Sequence, residues 1–116
     1  MMAKETQQLL EQAQVYQQQI QGIITQKETM NMQLLEMKNA LEELEKSKET
    51  EVYKLSGPVL IKAKKTEVEK DLKEKKEIIG VRVKTLEKSE ARIKAKIEEL
   101  RHKLTEVSKP RAKAGG

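Results

Sequence analysis

The chain of 116 residues has no cysteine, no phenylalanine and no tryptophan, and only two tyrosines. Without cysteine there is no disulfide framework and no thiolate metal site, which fits a reducing compartment such as the cytoplasm. Large aromatic side chains each bury about 150–250 Å², and their scarcity argues against a thick globular core. The longest apolar run, at residues 78–81, is far shorter than the about 20 residues of a transmembrane helix. No apolar stretch follows Met1 to indicate a secretory signal, so we expect a cytoplasmic protein of long helices that does not bind membranes.

Charge is abundant, of mixed sign and unevenly distributed. Charged residues make up 37% of the chain and the net charge is +5; residues 1–46 carry a net −3, residues 47–65 a net +3 and residues 66–116 a net +5. A basic segment can indicate nucleic-acid binding. In the last segment, however, acids precede lysines by four residues, which supports a helix, and no aromatic platform is present for stacking bases. We therefore predict solvated helix faces and no nucleic-acid partner. All ten glutamines lie within residues 1–33, so the first segment has an uncharged polar face.

Two heptad seams, rows of apolar residues spaced alternately four and three apart, are the strongest pattern in the sequence. The first seam contains Leu9, Ala13, Tyr16, Ile20, Ile23, Lys27, Met30, Leu34, Met37, Leu41 and Leu44. The second contains Glu69, Leu72, Lys76, Ile79, Val83, Leu86, Glu90, Ile93, Ile97, Leu100, Leu104 and Val107. They predict coiled-coil helices over residues 5–47 and 66–108, the second opening on a capping box of Thr66 and Glu69. Residues 109–116 are predicted to form a flexible tail.

Between the seams, residues 51–64 change to a β pattern, with Gly57 and Pro58 separating two β-rich runs. Glycine followed by proline is compatible with a type II′ turn, which would place Leu55 opposite Leu60. The large apolar residues of this hairpin are Val52, Tyr53, Leu55, Val59, Leu60 and Ile61. Apolar groups on both faces and unpaired backbone on both edges make a two-stranded sheet marginal alone and prone to pair with another sheet. We predict self-association through the hairpin; the alternative is that it folds back on the helices.

Helices of equal length joined by a short hairpin predict one domain over residues 1–116, an antiparallel two-helix coiled coil with both termini at the end far from the hairpin. An antiparallel pair frays at its end, so apolar groups there suit adaptable binding of hydrophobic surfaces. The candidates are Met1, Met2, Leu9, Leu10, Ala13, Leu100, Leu104 and Val107. Leu9 and Leu10 are adjacent and cannot both face the partner helix, so one of them should be exposed. Ordinary seam packing is an equal alternative for Leu100 and Leu104.

No catalytic arrangement is recognisable. The single histidine, His102, lies between Arg101 and Lys103 on a charged helix face, and no glycine-rich loop precedes a lysine in the phosphate-binding pattern. Without cysteine and with one histidine, neither a nucleophile triad nor a zinc site can be built. We predict a protein that is not an enzyme and uses no metal or cofactor.

The hairpin residues Val52, Tyr53, Lys54, Gly57, Leu60, Ile61 and Lys62 carry a resemblance to a known family. Together with the flanking heptads, over about residues 5–107, the chain resembles the prefoldin beta-subunit family, since alpha subunits carry two hairpins. The resemblance implies a mainly α fold whose hairpins oligomerise into a β-barrel platform, in a hetero-hexamer of two alpha and four beta subunits. It also implies an ATP-independent chaperone that captures unfolded client proteins at the distal helix ends and transfers them to a group II chaperonin. The alternative is a structural coiled-coil tether with one folded partner.

Overall fold

The computed structural model describes residues 3–108, which form two long helices joined by one β-hairpin. Helix α1 spans Lys4–Lys46, strand β1 Glu51–Ser56, strand β2 Val59–Lys64 and helix α2 Lys65–Ser108. The chain is therefore mainly α, as predicted. Met1, Met2 and the predicted tail at 109–116 lie outside the described residues. Across residues 3–108, neither helix carries an apolar stretch that could span a bilayer.

The start of α2 differs from the predicted capping box. The helix begins at Lys65, so Thr66 lies inside its first turn, and within residues 3–108 neither Thr66 nor Glu69 makes a capping hydrogen bond. The reason is that β2 runs into α2 without a loop. The backbone N–H of Lys65 donates to the carbonyl oxygen of Thr50 at 2.9 Å, so main chain satisfies this first amide of the helix.

The chain divides into two compact units. The helix-end unit comprises residues 3–26 of the N-terminal part together with residues 86–108, and the hairpin unit comprises residues 27–85. Each unit has a thin core with one buried residue from each helix. These are Ile20 and Leu100 in the helix-end unit, and Leu41 and Val83 in the hairpin unit, all 5–9% exposed.

The heptad seams are confirmed at nearly all of their positions. All eleven positions of the first seam are buried or half-buried, and in the second only Lys76 and Val107 are exposed. Within each unit the helices run antiparallel. In the helix-end unit Ala13 shares a groove with Leu104, whereas Gln26, further along α1, shares one with Ser89. The period of the sequence therefore determines which face of each helix is covered.

Candidate functional site

The turn of the hairpin has the geometry that its two residues dictate. Gly57 has a φ of +61°, a value that L side chains rarely adopt. Pro58 fixes a negative φ at the next position, and this combination is that of a type II′ turn. The resulting register places Ser56 opposite Val59 and Leu55 opposite Leu60, which confirms the predicted pairing.

Both faces of the hairpin present uncovered apolar side chains. Residues directly opposite one another share a face, so Tyr53, Leu55 and Leu60 lie on one face, with Leu55 72% exposed. Val59 and Ile61 lie on the other face and are also exposed, Ile61 least, at 41%. Of the six hairpin residues that the sequence singled out, only Val52 is half-buried. The helices therefore do not cover the hairpin, and the fold-back alternative is wrong for this structure.

The edges of the hairpin are also free. Within residues 3–108 the sheet consists of β1 and β2 alone, so each strand has an outer row of N–H and C=O groups without a strand beside it. An exposed edge of this kind is a template for adding a strand from another chain. An ion pair between Lys62 and Glu51 at 3.6 Å crosses the hairpin; it is exposed and leaves these edges open. The chemistry offered is backbone pairing plus burial of apolar surface.

A lysine fixes the base of the hairpin to the helices. The Lys65 ammonium donates to the carbonyl oxygen of Ser47 at 2.7 Å, just beyond the last residue of α1. This places a positive charge at the negative end of the helix dipole and satisfies a carbonyl that the ended helix leaves unpaired. The Ser47 hydroxyl in turn accepts from the Glu49 N–H at 3.2 Å. Sequence reasoning missed this contact, because Lys65 and Ser47 are 18 residues apart and no periodic pattern joins them.

The predicted client-binding residues fall into three groups in the structure. Leu10 and Val107 are exposed, at 42% and 37%, whereas Leu9, Ala13 and Leu104 are half-buried. The expectation that one of the adjacent leucines is exposed is therefore confirmed. Leu100 is only 5% exposed and belongs to the core of the helix-end unit. Met1 and Met2 lie outside the described residues. A role for any of them in client contact stays a prediction.

Comparisons with known proteins agree on one family over nearly the whole chain. A family model described as "Prefoldin subunit" matches residues 7–110. The prefoldin subunit beta of Archaeoglobus fulgidus is 41% identical over 109 residues, covering 93% of this chain and 94% of the relative. That of Thermococcus onnurineus is 39% identical with the same coverage. The crystal structure of the prefoldin beta subunit from Thermococcus strain KS-1 matches with a TM-score of 0.85 and 34% identity, covering 93% of this chain and 96% of that chain.

Proposed function

The chain belongs to the prefoldin family, a family of chaperones rather than enzymes whose subunits assemble with one another, and we propose that it is a beta subunit of a hexameric holdase. In this assembly two alpha and four beta chains join their hairpins into a β-barrel platform. The complex works in the cytoplasm without ATP. It captures non-native proteins, prevents their aggregation and transfers them to a group II chaperonin.

The exposed hairpin is the observation that carries the proposal. Its five exposed apolar residues, Tyr53, Leu55, Val59, Leu60 and Ile61, are in contact with water in the single chain, on a sheet with two open edges. Burial of one such side chain contributes about 1.5–3 kcal/mol, and strand addition satisfies the backbone at the same time. Closing strands into a barrel removes the edges altogether. Val52, half-buried and paired with Ala63 near the open end of the hairpin, would complete the platform.

Client capture is assigned to the termini of the helices, in the helix-end unit. Leu10 and Val107 are exposed there, and Met1 and Met2 add flexible apolar side chains that adapt to irregular surfaces. Leu9, Ala13 and Leu104 are half-buried and would extend the contact. Leu100 would reach a client only where the helix pair frays.

Aggregation of a chemically unfolded protein after dilution tests this function, with light scattering as the measurement. The chain, assembled with an alpha-type partner, should suppress scattering without ATP. The double variant Leu10→Ser with Val107→Ser should protect much less, because the exposed apolar groups are gone, while native mass spectrometry gives the same oligomer mass.

The matched control is Ile78→Ser with Val81→Ser, which removes two similarly exposed apolar residues in the hairpin unit. It should protect as well as the unmodified chain. Equal protection by both double variants would contradict client capture at the helix ends. Failure of the unmodified complex to protect any unrelated unfolded protein would favour a tether with one folded partner.

A further inference from the structure

A groove between the two helices of the helix-end unit contains no residue of the hairpin. Half-buried Tyr16, Ile23 and Ile93 line it, together with exposed polar residues on both sides. It lies apart from the exposed residues Leu10 and Val107, neither of which lines it. Its lining contains two cations and no acid.

The cations are Arg92 and Lys96, one helical turn apart on α2 and both exposed. Within residues 3–108 neither side chain makes an ion pair or a hydrogen bond. The one acid a helical turn from either of them is Glu99, which pairs instead with Lys103 at 3.9 Å. On the opposite wall, residues 12–26 of α1 contain no charged residue. Two like charges four residues apart repel each other on a helix, so the pair is electrostatically unsatisfied within this unit.

Gly22 lies in the α1 wall of the groove and leaves open space there because it has no side chain. Glycine inside a helix costs about 1 kcal/mol relative to alanine. A Cβ built at Gly22 would meet no atom within 4 Å, so nothing in the described chain requires glycine there. Its effect is to leave space above Ile23 and Tyr16, between flanking amide side chains of Gln19 and Gln26.

We propose that this groove binds an extended acidic segment of a non-native polypeptide, which rests on the proposed holdase function. Alternate residues of an extended chain point to opposite sides. Apolar side chains would therefore pack toward Tyr16, Ile23 and Ile93 while carboxylates remain within reach of the long Arg92 and Lys96 side chains. The Gln19 and Gln26 amides carry both donors and acceptors and suit a backbone that has no secondary structure of its own.

Charge complementarity selects a peptide with carboxylates over one with ammonium groups. The lining also favours a polypeptide over a nucleic acid. Two cations neutralise few phosphates, and the groove has a single aromatic ring, that of Tyr16, on which a base could stack.

Fluorescence anisotropy of three labelled synthetic peptides with the full chain tests the proposal. The peptides alternate leucine with glutamate, glutamine or lysine. The leucine–glutamate peptide should bind best and lose affinity as salt rises. The variant Arg92→Gln with Lys96→Gln should weaken binding of this peptide about fivefold, as expected for two exposed ion pairs. Its affinity for the leucine–glutamine peptide should not change. The control Lys84→Gln with Lys88→Gln removes the same charge at the same spacing outside the groove and should change little.

The variant Gly22→Gln tests the space in the groove separately, since its Cβ would meet no atom within 4 Å and its longer side chain would occupy the groove. It should weaken the binding of the glutamate and glutamine peptides alike, while the circular dichroism spectrum stays helical. Equal binding of the glutamate and lysine peptides, or equal losses in the two double variants, would overturn the proposal. So would displacement of the peptide by a single-stranded oligonucleotide of equal charge at equal concentration. The chain could also bind the acidic peptide through Arg92 and Lys96 and yet protect no unfolded protein. That result would refute the holdase function and support peptide binding in the groove.

Discussion

The hairpin and the helical seams use the same residue types in opposite ways. Leu41, on the first seam, is 9% exposed, whereas Leu55, on β1, is 72% exposed. Most seam residues are buried or half-buried within the chain, because the apolar stripe of each helix packs against that of the other. The hairpin has no second layer in the same chain, and its apolar residues remain in water.

This difference separates residues that hold the single chain together from those that hold an assembly together. Removing a seam residue lowers the stability of the chain itself. Removing an exposed apolar side chain of the hairpin leaves the chain folded and should act on association alone. Three substitution experiments compare matched positions of the chain, in descending order of expected effect.

Charging the facing pair of the hairpin should abolish assembly. In Leu55→Glu with Leu60→Glu two carboxylates lie directly opposite each other, where like charges repel, and of the exposed apolar residues on that face only Tyr53 remains. Sedimentation or native mass spectrometry should find only the single chain, with helix content retained. The control Lys88→Glu changes the net charge equally on an exposed helix face and should leave assembly intact. An unchanged oligomer in the double variant would show that this face is not the interface.

Truncating a core leucine should lower stability where truncating an exposed one does not. Leu100→Ala should reduce the free energy of unfolding by about 2–4 kcal/mol through lost burial and a residual cavity. Leu35→Ala, at a leucine 55% exposed, should remain within about 0.5 kcal/mol of the unmodified chain. Urea unfolding followed by circular dichroism measures both. Equal losses would mean that burial within the chain does not set the stability of the helix-end unit.

These contrasts also separate what could be predicted from the sequence from what could not. The seams and the hairpin register follow from local periods of 3.5 and 2 and from the demands of Gly57 and Pro58, so they were predictable. Exposure of Leu10 beside half-buried Leu9 follows from the same geometry. The Lys65 contact with Ser47 and the unpaired state of Arg92 depend on which distant residues meet, and no period encodes that. The predicted capping box at Thr66 and Glu69 was wrong because β2 continues directly into α2.

Alanine in place of glycine should have opposite effects in the two regions. Gly22→Ala should raise the free energy of unfolding by about 1 kcal/mol, since alanine is the better helix former and its Cβ meets nothing within 4 Å. Gly57→Ala should lower it by about 1–2 kcal/mol, because the φ of +61° brings an L side chain close to the following carbonyl. Thermal unfolding of the two variants side by side measures the signs. Changes of the same sign would mean that backbone conformation does not distinguish the turn from the helix.

The contact between Lys65 and Ser47 has a consequence for the order of folding. It closes one of the shortest long-range loops in the chain, 18 residues, and the entropy lost on closing a loop grows with its length. We therefore expect contacts near the hairpin to form first, at the least entropic cost, and the two helices to pair outward from there. Pairings such as Ala13 with Leu104 close much longer loops and should form later. During synthesis, the apolar stripe on the N-terminal half of α1 should then stay uncovered until the residues around Leu104 have been made.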